Sequence, residues 1–232
     1  MKRALHRQQA GGFSLFESIV VIVILAVLIA VYLPAVMRPR GCAGGLSCVN
    51  NLKQVGLSFR QWALDNGDKY PMQVSVTNGG AMELVGKGAV FAAYRVMSNE
   101  LNTPKILFCP QESDAKRTCA TTFADTVPNS TPYPQIPFTN NNNVSYFVGV
   151  DATDSLPQMI LSGDDNFLVR GVKLRPGVHE VRSNNLAAWT SKRHENQGNI
   201  CFTDGSVQPL NSRGLMQALR STGCATNRLA MP

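Results

Sequence analysis

The chain has 232 residues, of which 44% are hydrophobic and 16% charged, with a formal net charge of +7. That length suits one domain plus an appended segment rather than two full domains. The positive balance does not make a nucleic-acid binder, because no basic stripe with interleaved aromatics accompanies it, and no nucleic-acid partner is expected.

The first forty residues come in three parts. Lys2, Arg3 and Arg7 form a basic leader, Gly11-Gly12-Phe13-Ser14-Leu15-Phe16-Glu17 follows, and an uncharged apolar run extends from Ile19 to Met37. As a helix rising ~1.5 Å per residue, that run just crosses a hydrocarbon core of roughly 30 Å. A secretory signal peptide would carry an apolar region of about 7–15 residues and then a small-x-small cleavage site. This run is longer, and Val31 to Arg40 offers no such site. A plain transmembrane anchor fits the length but leaves Gly12-Phe13 and Glu17 without a role.

Gly-Phe-Ser-Leu-Phe-Glu resembles the cleavage and methylation motif of the type IV pilin family, which includes the pseudopilins of type II secretion. The resemblance implies processing by a prepilin peptidase/N-methyltransferase after Gly12, with Phe13 becoming the N-methylated first residue. Glu17 matches the family's acidic assembly residue, and Pro34 matches a proline often found in the family's helix. The physics of the acid agrees. A carboxylate is favoured at a helix start, but unpaired in lipid it costs on the order of 2.5–3.5 kcal/mol. Cleavage at Gly12 would create a counter-charge at Phe13, and the pairing would set the register of one helix against the next. The alternative is that Glu17 sits in the headgroup zone.

The expected organisation is a leader over 1–12, a transmembrane helix over 13–37, a second half of the helical spine over 38–66 and an extracytoplasmic head over 67–232. Pro39, Gly41, Gly44 and Gly45 predict a break or softened turn near 39–45. The leader is read as cytoplasmic and the protein as single-pass in a bacterial inner membrane, with its head periplasmic or in an extracellular filament. The fold class expected is α+β and pilin-like, a long N-terminal helix packed on a small antiparallel sheet.

Six cysteines, Cys42, Cys48, Cys109, Cys119, Cys201 and Cys224, fit an oxidising compartment. They allow fifteen full pairings. The sequence-local ones are Cys42–Cys48, Cys109–Cys119 and Cys201–Cys224, and Cys109–Cys119 is favoured because it closes a short loop at Pro110. Zinc ligation is the alternative, although no Cys-x2-Cys spacing appears.

Further along, Ser47 is a plausible N-cap, and Cys48, Leu52, Val55, Phe59 and Trp62 recur at spacings of four and three, one apolar helix face ending at Asn66-Gly67. Residues 81–101 read as mostly helical. Thr121 to Asn143 carries four prolines and four terminal asparagines and reads as a long loop. Strands are expected over 144–150, 159–161 and 169–181, the last broken at Pro176-Gly177. Asn199–Phe202 and Val207–Leu210 flank Asp204-Gly205, a hairpin turn, and a short helix with Leu215, Met216 and Leu219 precedes a loose tail after Gly223.

The stretch from Cys48 to Pro71, Phe108-Cys109-Pro110, and His194 followed by Asp204-Gly205 resemble a pseudopilin-like branch of the same family. His194 and Asp204 invite a catalytic reading, but no Ser or Cys elbow accompanies them, and a hairpin aspartate bonded to its own turn explains Asp204. Asp164, Asp165 and Asp204, with Asp151 and Asp154, are the calcium candidates, since some secretion pseudopilins bind calcium. No EF-hand spacing is present, and exposed loop carboxylates are the alternative. No other cofactor is expected. Asn129 and Asn143 open glycosylation-type triplets.

The functional expectation is a non-enzymatic structural subunit of a type II secretion pseudopilus or type IV pilus-like filament. Its partners would be the peptidase, copies of itself, other pseudopilins, an inner-membrane assembly platform and the lipid bilayer. The alternative is a membrane-anchored extracytoplasmic binding module or hydrolase.

Overall fold

A computed structural model describes residues 15–36, 40–125 and 135–232, with side chains over 15–30, 46–125 and 135–232. Two units divide the chain, residues 1–42 and 43–232.

In the first unit, α1 runs from Leu15 to Val36, with Glu17 in its first turn. Over residues 15–30 its apolar side chains are exposed: Leu15, Phe16, Ile22, Leu28 and Ile29 each show more than half of their surface. The transmembrane expectation is corrected here. Among the described residues no helix is long and apolar enough to cross a membrane. The single-pass inner-membrane placement built on that span is set aside with it. Gly12 and Phe13 lie outside the described residues.

The second helix, α2, spans Arg40–Asp65. It starts seven residues before Ser47 and carries Gly41, Gly44 and Gly45 within it, so the softening expected there does not interrupt the helix from Arg40 onward. Cys48, Leu52, Val55, Phe59 and Trp62 form its buried face. Three short helices follow, α3 (Met82–Gly86), α4 (Val90–Val96) and α5 (Ser98–Leu101).

The strands are β1 (Tyr146–Gly149), β2 (Ile160–Asp164), β3 (Phe167–Val169), β4 (Val172–Lys173), β5 (Gly177–Arg182), β6 (Ala187–Trp189), β7 (Gln197–Phe202), β8 (Val207–Asn211) and β9 (Thr226–Met231), with α6 (Ser212–Ser221) before the last. Six of them form one sheet in the order β5-β9-β1-β2-β7-β8, and β4-β3-β6 form a second. Every pairing between these strands is antiparallel. The architecture is therefore α+β, but a six-stranded sheet dominates it where a small one was expected. The tail after Gly223 is a second correction: β9 pairs with β5 on one side and β1 on the other.

Successive strand residues face opposite sides of a sheet, and this sheet is covered on both. Tyr146, Val148, Leu161, Cys201 and Ala230 join the α2 face in one core. Phe147, Ile160, Ile200, Leu229 and Met231 join Leu215 and Leu219 of α6 in another. Helix α2 approaches closely, since a Cβ on Gly56 would lie 2.7 Å from Cys201 Sγ. Tyr94 of α4 is fully buried, and its hydroxyl lies 2.9 Å from Ser162 Oγ. Tyr94→Phe should therefore cost about 1 kcal/mol, read as a lower urea midpoint with an unchanged slope.

Candidate functional site

The polar heart of the domain lies where β2, the loop after β6 and the segment around Cys109 meet. Asp164 ends β2 and is completely buried; Asp165 and Asn166 follow it and are buried too. Arg193, also buried, extends Nη1 to 3.4 Å from Glu112 Oε2 and donates to Ser145 O at 3.2 Å. Arg117 reaches the same Glu112 oxygen at 3.1 Å. Both guanidiniums close on Asp165, one on each carboxylate oxygen. Ser145 Oγ donates to Glu112 Oε2 at 2.9 Å. Asn199 on β7 donates its backbone and side-chain N–H groups to Asp164 Oδ2 at 2.7 and 2.8 Å. Ions taken out of water this far persist only when each is paired and hydrogen-bonded.

Burial alone would raise the Glu112 carboxyl, but the Arg193 and Arg117 guanidiniums, with bonds from the Asp114 backbone and Ser145, outweigh it and hold the group below its ordinary range. A carboxyl with a folded-state pKa below its unfolded value contributes stability above the unfolded pKa and loses it as pH falls through the folded one. Stability should thus fall on acidification through and below about 4.5, the ordinary Glu value. Glu112→Gln should flatten that limb in a pH series of urea melts; an unchanged limb would refute the assignment.

His194 stands next to this cluster. Its Nε2 lies 3.4 Å from Cys109 Sγ and 3.4 Å from Asp164 Oδ2. Residues His194, Glu195 and Asn196 take φ of 52°, 49° and 66° in succession, a left-handed turn that β-carbon residues adopt at a cost of order 1–3 kcal/mol each. Cys109 is bonded to Cys48. This corrects the Cys109–Cys119 expectation: Cys119 is a free thiol, as are Cys201 and Cys224. The Cys42–Cys48 and Cys201–Cys224 pairs are likewise not formed. Burial, aided by the Asp204 carboxylate, pushes the Cys201 thiol up to about 12.

Both Cys109 Sγ and Asp164 Oδ2 approach the same imidazole nitrogen. A relay of nucleophile, base and orienting acid uses the two ring nitrogens separately, so these three groups do not form one, and the sulfur is already bonded. Nor does the structure bring His194 to Asp204. They sit beyond opposite ends of β7, whose six residues extend roughly 20 Å at ~3.3 Å each. Asp204 and Gly205 make the β7–β8 turn. Asp204 Oδ1 accepts from Ser206 N at 2.8 Å, Arg60 donates to Asp204 O at 3.2 Å, and Gly205 has φ +84°, a left-handed value that suits glycine.

The calcium candidates do not converge. Asp164 faces Asn199 and His194, Asp165 is clasped by two guanidiniums, and Asp204 lies in the distant turn, whereas calcium takes six to eight oxygens. Among the described residues the metal-ligating side chains that do converge are Cys48, Cys109 and His194. Asn143 is 4% exposed and its side chain bonds Thr118 O and Thr139 N, which leaves no room for a glycan; Asn129 lies outside the described residues. Glu112, Arg117 and Arg193 went unrecognised in the sequence, where the one hint was Arg193 standing beside His194.

Comparison of the chain with protein-family models, with curated proteins and with solved structures gives no match.

Proposed function

We propose that the chain is a non-enzymatic structural subunit of a filament of the pseudopilus or type IV pilus-like kind, processed after Gly12 and N-methylated at Phe13. The observation that carries this reading is α1, whose apolar side chains over residues 15–30 are exposed on every side. A helix apolar on every side does not persist in water and must be covered. A bundle of identical helices from neighbouring copies covers it, and head-to-tail repetition that does not close yields an open helical polymer. The motif Gly12-Phe13 and the acid at Glu17 add the means of making and registering such a bundle, through the charge pairing of one chain's Glu17 with a processed amino terminus.

Intact-mass measurement of the native polypeptide and electron microscopy of its assemblies test this together. The expected mass corresponds to a chain beginning at a methylated Phe13, and Glu17→Ala should cut filament yield about tenfold or more, the loss of roughly 1.4 kcal/mol or more per contact. A native chain still beginning at Met1, or filaments at normal yield from Glu17→Ala, would refute it.

A further inference from the structure

We infer that reduction of the Cys48–Cys109 disulfide opens a binding site for a thiophilic divalent cation of the zinc class, held by Cys48 Sγ, Cys109 Sγ and His194 Nε2. These three donor atoms already lie within 4.8 Å of one another. Zinc bonds thiolate sulfur at ~2.3 Å and imidazole nitrogen at ~2.0–2.1 Å, which gives a tetrahedron edges of roughly 3.5 Å between sulfur and nitrogen. The observed Cys109 Sγ to His194 Nε2 separation is 3.4 Å. The two sulfurs must part, and their Cα atoms lie 5.5 Å apart.

The surroundings offer a further oxygen donor. Glu112, Asp164 and Asp165 gather three carboxyl side chains around Arg117, Arg193 and His194. Asp164 is the nearest further donor, 3.4 Å from the same nitrogen. Its Oδ1 is buried and among the described residues accepts no hydrogen bond, while Asn199 fixes its Oδ2 in the way that outer partners orient metal-binding carboxylates. Arg193 Nη1 lies 4.0 Å from that Oδ1 and would repel a bare cation. A divalent ion bound with two thiolates adds no net charge, however, and Arg193 is already matched by Glu112 and Asp165. The three successive left-handed residues from His194, in the loop between β6 and β7, carry a backbone cost, and His194 Nε2 lies beside the sulfur of Cys109.

The chemistry balances. A dithiol reductant gives two electrons and two protons to the disulfide, becoming a disulfide itself and leaving two cysteine thiols. The cation then displaces both thiol protons. A disulfide oxidant takes two electrons from the thiolates and two protons from solvent, becoming a dithiol, and the metal is released because the joined sulfurs offer no thiolate.

Cobalt(II) titration of the full chain tests the inference. The chain is reduced with a dithiol, which is then removed under inert gas. Expected are one cobalt ion per chain with thiolate charge-transfer absorption, displaced by zinc, and no such absorption from the oxidised chain. Cys48→Ala should abolish the signal, the Cys119→Ala/Cys224→Ala pair should keep it, and His194→Asn should weaken binding about tenfold or more. Asparagine tolerates the left-handed backbone, so that variant keeps the turn while removing the imidazole. If the reduced chain loses its circular dichroism, zinc should restore it in the wild type and not in Cys48→Ala. No absorption from the reduced wild type, a signal indifferent to Cys48→Ala or His194→Asn, or a fold that zinc fails to restore would overturn the proposal.

Discussion

Arg193→Met should destabilise the domain by about 3–5 kcal/mol, the cost of removing one partner from a buried ionic set. Arg193 lies 5% exposed between Glu112, Asp165 and the Ser145 carbonyl. Methionine fills much of the same space, so little of the loss comes from a cavity. What is lost is compensation: three buried carboxylates would face Arg117 alone. Arg95→Met is the contrast. Arg95 pairs with Asp125, but the two side chains are 36% and 68% exposed, and such pairs contribute about 0–1 kcal/mol. Urea unfolding near neutral pH would measure both. Equal losses in the two variants would contradict the account of the cluster.

Breaking the Cys48–Cys109 bond should cost nearly as much. It joins residues 61 apart, and closing a loop of that length removes about 4 kcal/mol of unfolded-state entropy in the chain-entropy account. In metal-free buffer the urea midpoint of the wild type should drop on reduction. Cys109→Ala should start at the reduced value and ignore the reductant. A wild-type midpoint indifferent to reductant would show that the bond carries no stability. Since a domain's whole stability is typically about 5–15 kcal/mol, either change brings this one near its threshold.

Several elements were legible because their signals are local. The α2 face follows from spacing alone: Cys48, Leu52, Val55, Phe59 and Trp62 fall at helical intervals, and all are buried. The Asp204-Gly205 turn follows from the left-handed backbone that such a dipeptide admits, and β7 and β8 pair on either side of it, with Cys201 opposite Val207. Strand β9 carries no local strand signal, because Thr226-Asn227-Arg228 breaks the apolar alternation. Its place between β5 and β1 depends on partners more than forty residues away. Helix α2 starts earlier than Ser47 because glycines in 41–45 weaken a helix by only about 1 kcal/mol each, too little to stop one that is anchored by its packed C-terminal half.

The candidate site was less legible. His194 stood out as part of a motif, but its neighbours did not. Cys48 falls on a helix face and Cys109 beside a short loop, and nothing in their spacing joins them. The partners of Asp164 and Asp165 come from Glu112, Arg117 and Arg193, separate segments whose charges look in sequence like solvated surface residues.

What the sequence determined by itself was whatever the chain's own periodicity and turn chemistry dictate: the apolar run from Ile19 onward, the buried face of α2, the β7–β8 hairpin and the α+β character. The tertiary structure alone decided the disulfide partner, the breadth of the sheet, the central place of β9 and the gathering of two arginines, three carboxylates and His194 beside the sulfurs. The reason is the range of the forces. Helix and turn preferences act over a few residues, whereas ion pairing and disulfide bonding act only through space, between groups that the fold must first bring together.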